Sequence, residues 1–404
     1  MAAGGLSSKR LTRVREVLER HLDVSHEPGV IAVIARRGEV HIEAAGHLAH
    51  EGAGSRIPMA ADTICRVASW TKSVVAACAM TLVEECTLRL TDPVDAFLPE
   101  LTNMTVLVDP EGALDDTVPA NRPITLHDLL TCRLGTGTIP AEPGKVPISD
   151  ALRALELWDD PGSPGPSSEE YVRRLGALPL VYQPGERWMY YTPAIVLGVL
   201  VSRAAGMPLE DLARERIFEP LGMKDTTFVA RREHVSRLAT AYAVDEATGV
   251  RTVEGDLNDV WVPRFPFKEA ASGLVTTPND FLAFTSALLG GGTHRGERIL
   301  SRPAVSLMTT DHLTAAQKAA STFVLPPGFD EGFGWGYAVG ITSQRRYLGP
   351  SIGSYGWYGK YGTIWFNDPN EDMTTMLIRQ TDTGWMPTSI FRDFWTAAYQ
   401  AIDD

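Results

Sequence analysis

A helix that is apolar on all sides has to lie in the middle of a fold, and this chain contains one. From Ser73 the sequence runs Val74, Val75, Ala76, Ala77, Cys78, Ala79, Met80, Thr81, Leu82, Val83, with acidic residues only at Glu84 and Glu85. The stretch before it, Cys65-Arg66-Val67-Ala68-Ser69-Trp70-Thr71-Lys72, reads as a short apolar strand, a turn, and a helix start at Ser69. Ser69 and Lys72 are three residues apart, which on a helix puts both side chains on one face about one turn apart. A serine followed by a surface lysine is also what an ordinary capped helix looks like. Lys72, however, is set in an apolar helix, where an unpaired ammonium is costly and burial lowers the lysine pKa. A hydroxyl beside such an amine can form an activated nucleophile. Ser-x-x-Lys alone is weak, since about one is expected by chance in 400 residues.

The rest of the chain surrounds this helix with two textures. Leu11, Val14, Val17, Leu18 and Leu22 recur at helical spacing, predicting a helix over about 8–22. The apolar run Gly29–Ala35 and the alternation Val40, Ile42, Ala44 flank Arg36-Arg37-Gly38-Glu39 and predict a β-hairpin. After Leu90 the chain turns rich in Pro, Gly, Asp and Ser; residues 159–168 read as a surface loop. Helices are expected at 125–132, 168–177, 193–205, 209–218 and 278–290, strands at 63–67, 334–342, 361–367 and 373–380, and a last helix at 386–401. The simplest arrangement is a discontinuous α/β sheet domain, 1–95 with 251–404, and a mainly helical domain, 96–250, with a cleft between them.

Composition narrows the function. With 404 residues, 44% of them hydrophobic, the chain can bury a large core, and a net charge of −13 argues against nucleic acid as a partner. No run of eighteen apolar residues exists, so no membrane partner is expected, and the basic N-terminus leads into a periodic helix, so a cytoplasmic location is expected. Cys65, Cys78, Cys86 and Cys132 form no CxxC pair and read as buried free thiols. His41, His47 and His50 lie close together without a metal-ligand spacing, so no metal is expected. Gly290-Gly291-Gly292 reads as a helix stop. The sequence specifies no oligomeric state.

Two further stretches stand out. Gln183-Pro184-Gly185-Glu186-Arg187-Trp188-Met189-Tyr190-Tyr191-Thr192 leads into a helix. Gly356-Trp357-Tyr358-Gly359-Lys360-Tyr361-Gly362 precedes the strand that ends at Asp368-Pro369, and its glycines let backbone approach a ligand. Each is also compatible with packed aromatics, one before a helix and one in a tight hairpin. Gly349-Pro350-Ser351-Ile352-Gly353 fits a nucleophile elbow, but more glycines follow it instead of a helix, and the last histidine is His312, so no Ser…Asp…His order can form. Ser351 reads as a loop residue.

Taken in order, Ser69-x-x-Lys72, Tyr190-Tyr191-Thr192 and the glycine-rich stretch resemble the serine β-lactamase and penicillin-binding-protein superfamily. The pattern is most similar to its class C-like branch and, within that, to family VIII carboxylesterases. Leu88–Val94, Ile124–Thr131, Glu219–Thr226 and Ala271–Thr277 also look like that family, and the likeness spans roughly 25–400. The resemblance implies an α+β, β-lactamase/transpeptidase-like fold with an antiparallel sheet flanked by helices. It implies Ser69 as nucleophile, with Lys72 and Tyr190 in proton transfer. The family's Pro-to-Tyr spacing selects Tyr190 over Tyr191, and Thr192 stands where the family carries Asn. For the third motif, Trp357-Tyr358-Gly359 and Lys360-Tyr361-Gly362 compete. The first is followed by Gly362-Thr363 and Asp368-Pro369 as in His-x-Gly members, and it makes the N–H groups of Ser69 and Lys360 the oxyanion donors. No cofactor is implied.

A tryptophan in the third motif cannot pair with a substrate carboxylate. With Trp70, Trp188, Trp261 and Trp357 near the cleft, the expected substrate is a small ester with an apolar part. Trp357, Tyr358, Gly359, Thr192 and Trp70 are the expected substrate-binding residues. An acyltransferase using the same acyl-enzyme, a β-lactamase or D-amino-acid peptidase served by Lys360 or Arg345-Arg346, and a non-catalytic binding protein on this scaffold are the alternatives.

Overall fold

The computed structural model describes residues 3–25, 27–139, 141–157, 165–245, 248–255, 268–321, 332–382 and 389–404. Both ends of the chain build one seven-stranded antiparallel sheet. Its spatial order is Phe333–Trp335, Gly340–Thr342, Tyr355–Gly359, Thr363–Asp368, Met373–Ile378, Gly29–Arg36, Glu39–Gly46. The strand Gly29–Arg36 joins the two chain ends, pairing Ile31 with Ile378 on one side and with Ala44 on the other. It is covered on both faces, which explains its unbroken apolar run.

Side-chain alternation sorts the sheet into two cores. Val30, Ala32, Ile34, Ile364, Phe366 and Leu377 face the terminal helices Ser8–Ser25 and Ser389–Tyr399. Ile31, Val33, Trp365, Met376 and Ile378 face the opposite way, toward the helix Thr71–Glu84. Every residue of that helix from Thr71 to Leu82 is buried. It packs on the equally apolar helix Thr192–Ala205.

The middle of the chain carries the helices Leu126–Leu130, Pro147–Ala154, Ser168–Gly176, Thr192–Ala205 and Leu209–Ala213. Thr125 and Asp128 cap the first reciprocally, and Arg122 holds both Asp128 oxygens at 2.6 and 2.9 Å. Several boundaries differ from expectation for local reasons. The helix expected over 209–218 changes at Arg214 into a five-residue π turn, Arg214–Phe218. The expected strand 334–342 is two strands, because Ala338 in the turn between them has φ of 58°. Of the expected strand 63–67, Cys65–Arg66 pairs with Val275–Thr276 and Ile64 makes an isolated bridge to Leu238. Small hairpins at Thr105–Leu107/Thr117–Pro119 and Ala241–Val244/Arg251–Gly255 interrupt the helical middle region. Trp261 and residues 159–164 of the expected loop lie outside the described residues.

All four cysteines are free, but Cys86 is exposed, correcting the expectation of four buried thiols. It follows the C-terminus of the central helix, where the chain leaves the core with φ of 58° at Cys86.

Candidate active site

Ser69 sits in a single 3-10 turn, Ala68–Trp70, that feeds directly into the buried helix. Ala68 adopts φ of 44°, a left-handed conformation that a non-glycine residue takes only at a cost of about 1–2 kcal/mol. The turn is braced from two sides. Thr71 Oγ1 donates to the Ala68 carbonyl and accepts from the Leu274 N–H, and the Gln380 side chain bonds both N–H and C=O of Arg66.

Lys72 is 1% exposed, and its Nζ donates to Ser69 Oγ at 2.9 Å and to the Ala271 carbonyl at 2.6 Å. The ammonium also lies 4.4 Å from the ring centre of Tyr190 and 5.2 Å from that of Tyr191. These two tyrosines are splayed around Lys72 by a γ-turn: Tyr191 has φ 78° and ψ −73°, and the Thr192 N–H donates to the Tyr190 carbonyl at 3.1 Å. Such strained backbone persists only where its surroundings enforce it.

Tyr190 is 1% exposed and lies among Trp188, Trp335, Trp357 and Cys132. Trp357 Nε1 donates to its hydroxyl at 2.6 Å, and Trp188 stacks on its ring at 5.3 Å. Burial pushes the Tyr190 phenol well above its ordinary range, while hydrogen bonds with Ser69 and Trp357 pull part of the way back. Burial likewise pushes the neighbouring Cys132 thiol up to about 12, so it stays neutral.

The glycine-rich strand Tyr355–Gly359 supplies the last wall, packing on the Ala68–Trp70 turn. A Cβ on Gly359 would meet the Val67 carbonyl oxygen at 2.5 Å, so glycine is what permits this approach. Lys360 opens the hairpin loop closed by the Gly362 N–H bond to the Gly359 carbonyl at 3.1 Å, with Gly362 at φ 69°. The peptides of Ser69 and Lys360 thus belong to two segments in contact. The Lys360 ammonium is held by Glu254 and lies 3.6 Å from Asp382. Arg345 and Arg346 are exposed on a separate loop.

The structure therefore brings Ser69, Lys72, Tyr190 and Trp357 together around one hydroxyl and leaves other expected residues elsewhere. Trp70 is a core residue and not a cleft residue: it is fully buried, with its ring 4.5 Å from that of Phe281. Tyr358, one residue on from Trp357, points to the opposite face of the sheet and packs on Phe366 and Phe391. Thr192 is 5% exposed and opens the helix behind Tyr190. Ser351 sits in a turn whose N–H donates to Asp368, and the strand beginning at Tyr355 follows it instead of a helix. Two participants were not read from the sequence: Trp335, whose ring centre is 4.5 Å from that of Trp357, and Glu269, which winds the turn carrying the Ala271 carbonyl. Neither lies in a recognisable motif; only their spatial neighbours mark them.

A serine and lysine in hydrogen-bond contact beside a phenol, next to an inner strand of an antiparallel sheet, form an arrangement that can support acyl-enzyme chemistry. The model of the Beta-lactamase family matches residues 14–387, so the chain belongs to that family. It is 40% identical over 332 residues to Protein Rv1367c of Mycobacterium tuberculosis (strain ATCC 25618 / H37Rv), covering 80% of this chain and 79% of that protein. It is 28% identical over 378 residues to Esterase EstB of Burkholderia gladioli, covering 91% and 90%. Among solved structures, EstCE1, described as a hydrolase with promiscuous acyltransferase activity, superposes with a TM-score of 0.78 at 23% identity, covering 97% of this chain and 99% of that one. Unliganded Simvastatin Synthase (LovD) from Aspergillus terreus gives 0.77 at 22%, covering 98% of each chain. The fold is β-lactamase/transpeptidase-like, and the family relatives include esterases and acyltransferases.

Proposed function

We propose that this protein cleaves small carboxylic esters through an acyl-enzyme on Ser69. The observation that carries the reading is the buried contact of Lys72 Nζ with Ser69 Oγ at 2.9 Å, with Tyr190 clamped beside it by Trp357. Ser69 Oγ attacks the acyl carbon as its proton passes to the Lys72–Tyr190 pair. The N–H groups of Ser69 and Lys360 hold the oxyanion, a contribution worth about 3–4 kcal/mol per donor in comparable sites. The pair returns the proton to the leaving alkoxide, the alcohol departs, and water repeats the sequence to release the acid.

The ester assignment rests on the absence of a free cation in the third motif. Trp357 offers an indole where a lactam or peptide carboxylate needs a positive charge, and the Lys360 ammonium is already engaged by Glu254. Trp188, Trp335 and Trp357 are themselves buried against Tyr190 and give the proton-transfer pair an apolar surround. An apolar surround that keeps water from the pair favours a second reading, acyl transfer to an alcohol in place of water; EstCE1 is described as having promiscuous acyltransferase activity.

Incubation with a short-chain p-nitrophenyl ester tests both. Wild type should release nitrophenol and show an acyl adduct on Ser69 by intact mass, and Ser69→Ala should lose about 10⁴-fold or more of the rate. Added butanol should divert acyl groups to butyl ester if transfer operates. Turnover that survives Ser69→Ala, or a chromogenic cephalosporin cleaved faster than any ester, would overturn the proposal.

A further inference from the structure

Lys72 Nζ donates to the Ala271 carbonyl, and two residues before Ala271 stands a buried carboxylate, Glu269, 7% exposed. Glu269 Oε1 accepts the Ala271 N–H at 2.7 Å and Oε2 accepts the Ser272 hydroxyl at 2.6 Å. Its own carbonyl accepts the Gly273 N–H at 3.2 Å. Residues 269–273 are thus wound around this one carboxylate, and the peptide at their centre presents the Ala271 carbonyl to Lys72. The turn cannot drift: Leu274 bonds back to Thr71 and Val67, and Ala270 lies where a Cβ on Gly198 would meet it at 2.5 Å. A buried carboxylate that only shaped a turn could be replaced by a neutral group at little cost, because burying a charge is expensive unless that charge is used.

We infer that Glu269 is a positioning and charge-setting residue for the acyl-transfer machinery, aiming the Ala271 carbonyl at Lys72 and placing a fixed negative charge behind the Lys72–Tyr190 pair. The inference rests on the reading of Ser69 as nucleophile. Burial is what chiefly keeps the Tyr190 phenol protonated, and the charge of Glu269 adds a smaller push in the same direction. By the same sign it favours the ammonium form of Lys72. Titratable groups that also face the pair include Cys132, neutral through burial, and Tyr191, whose ring lies 5.2 Å from Lys72 Nζ. Glu269 therefore biases both partners toward the state in which the proton has been received. This suits a relay that must hold a proton until the leaving group collects it.

Two variants separate charge from geometry. Glu269→Gln keeps the side-chain oxygen for the Ala271 N–H, and the Ser272 hydroxyl can reverse to accept from its amide. Removing the negative charge makes whichever partner acts as base easier to deprotonate. The acid limb of kcat/KM for p-nitrophenyl butyrate should then move to lower pH, by on the order of 1 unit. Glu269→Ala removes the brace as well and should lower kcat by about tenfold with KM little changed. An acid limb that stays in place in Glu269→Gln overturns the inference, whatever the alanine variant does. Wild-type and variant enzymes are first treated with a fluorophosphonate and weighed intact. Adducts on Ser69 with an unmoved limb sink the role of Glu269 alone, whereas no adduct on wild type sinks the nucleophile reading and this inference with it.

Discussion

Trp357 shows how one side chain both seats and tunes its neighbour. Its indole N–H donates to the Tyr190 hydroxyl at 2.6 Å, which orients the phenol oxygen and favours its ionised form. Phenylalanine would keep the ring contacts with Trp335 and Tyr190 and delete only this donor. A neutral hydrogen bond contributes about 0.5–1.5 kcal/mol, so Trp357→Phe should lower kcat/KM by about 3- to 10-fold. Steady-state kinetics on a p-nitrophenyl ester checks this. An unchanged rate would mean that the bond does not persist in the transition state. Histidine or lysine at 357 could restore a donor, and lysine would add the cation that the third motif lacks.

At the scale of elements, the proposed chemistry depends on how closely the glycine-rich strand approaches the Ser69 turn. A methyl at Gly359 would fall 2.2 Å from Thr363 Oγ1 and 2.5 Å from the Val67 carbonyl oxygen, so Gly359→Ala must push the strand off the turn. This would displace the Lys360 amide from the Ser69 amide in the proposed oxyanion hole, and kcat should fall on the order of 10²-fold. Gly353 is the control. It has φ of 90° with no atom near its missing methyl, so Gly353→Ala should cost about 1–2 kcal/mol of stability in urea unfolding while leaving kcat intact. Equal kcat loss in both variants would refute the close-approach argument. The glycines were legible as a spacing, and so were the apolar central helix and the hairpin of Gly29–Arg36 with Glu39–Gly46, because period and turn chemistry are local. The buried position of Trp70 was not, since any tryptophan beside a nucleophile suggests a cleft until Phe281, more than two hundred residues away, is known to cover it. Glu269 was invisible for the same reason: its hydrogen bonds are local, but their consequence lies across the fold at Lys72.

Across the whole molecule, the helical middle region and the outer sheet strands meet at a seam behind the aromatic cluster. The helix Leu126–Leu130 contributes His127, whose Nδ1 lies 3.1 Å from the Tyr337 hydroxyl. Tyr337 comes from the turn between Phe333–Trp335 and Gly340–Thr342. The His312 ring stacks on Tyr337 at 4.5 Å, its Nε2 donates to the Leu307 carbonyl at 2.8 Å, and the two imidazoles are 5.1 Å apart. Burial, then the charges of Arg133 and His312, lower the His127 pKa from its ordinary 6.5 to about 4, and burial lowers that of His312 as well. Asp128 favours the imidazolium of His127, and Asp311 that of His312, but neither outweighs burial. The direction of the linkage follows: between 6.5 and 4 the unfolded chain binds protons that the folded seam refuses. The stability associated with His127 is whole above pH 6.5 and is lost as pH falls toward 4. Asp128 does not contribute in this window, because its folded pKa lies below 3.8 and it stays ionised. The urea midpoint should therefore drop between pH 7 and pH 5, and His127→Asn, which keeps a polar group for Tyr337 but cannot charge, should drop less. A variant that loses as much as wild type would move the acid sensitivity elsewhere. Because Trp335 leads into this same turn and walls Tyr190, ester turnover measured in parallel should fall on the same side of neutrality as the seam loosens.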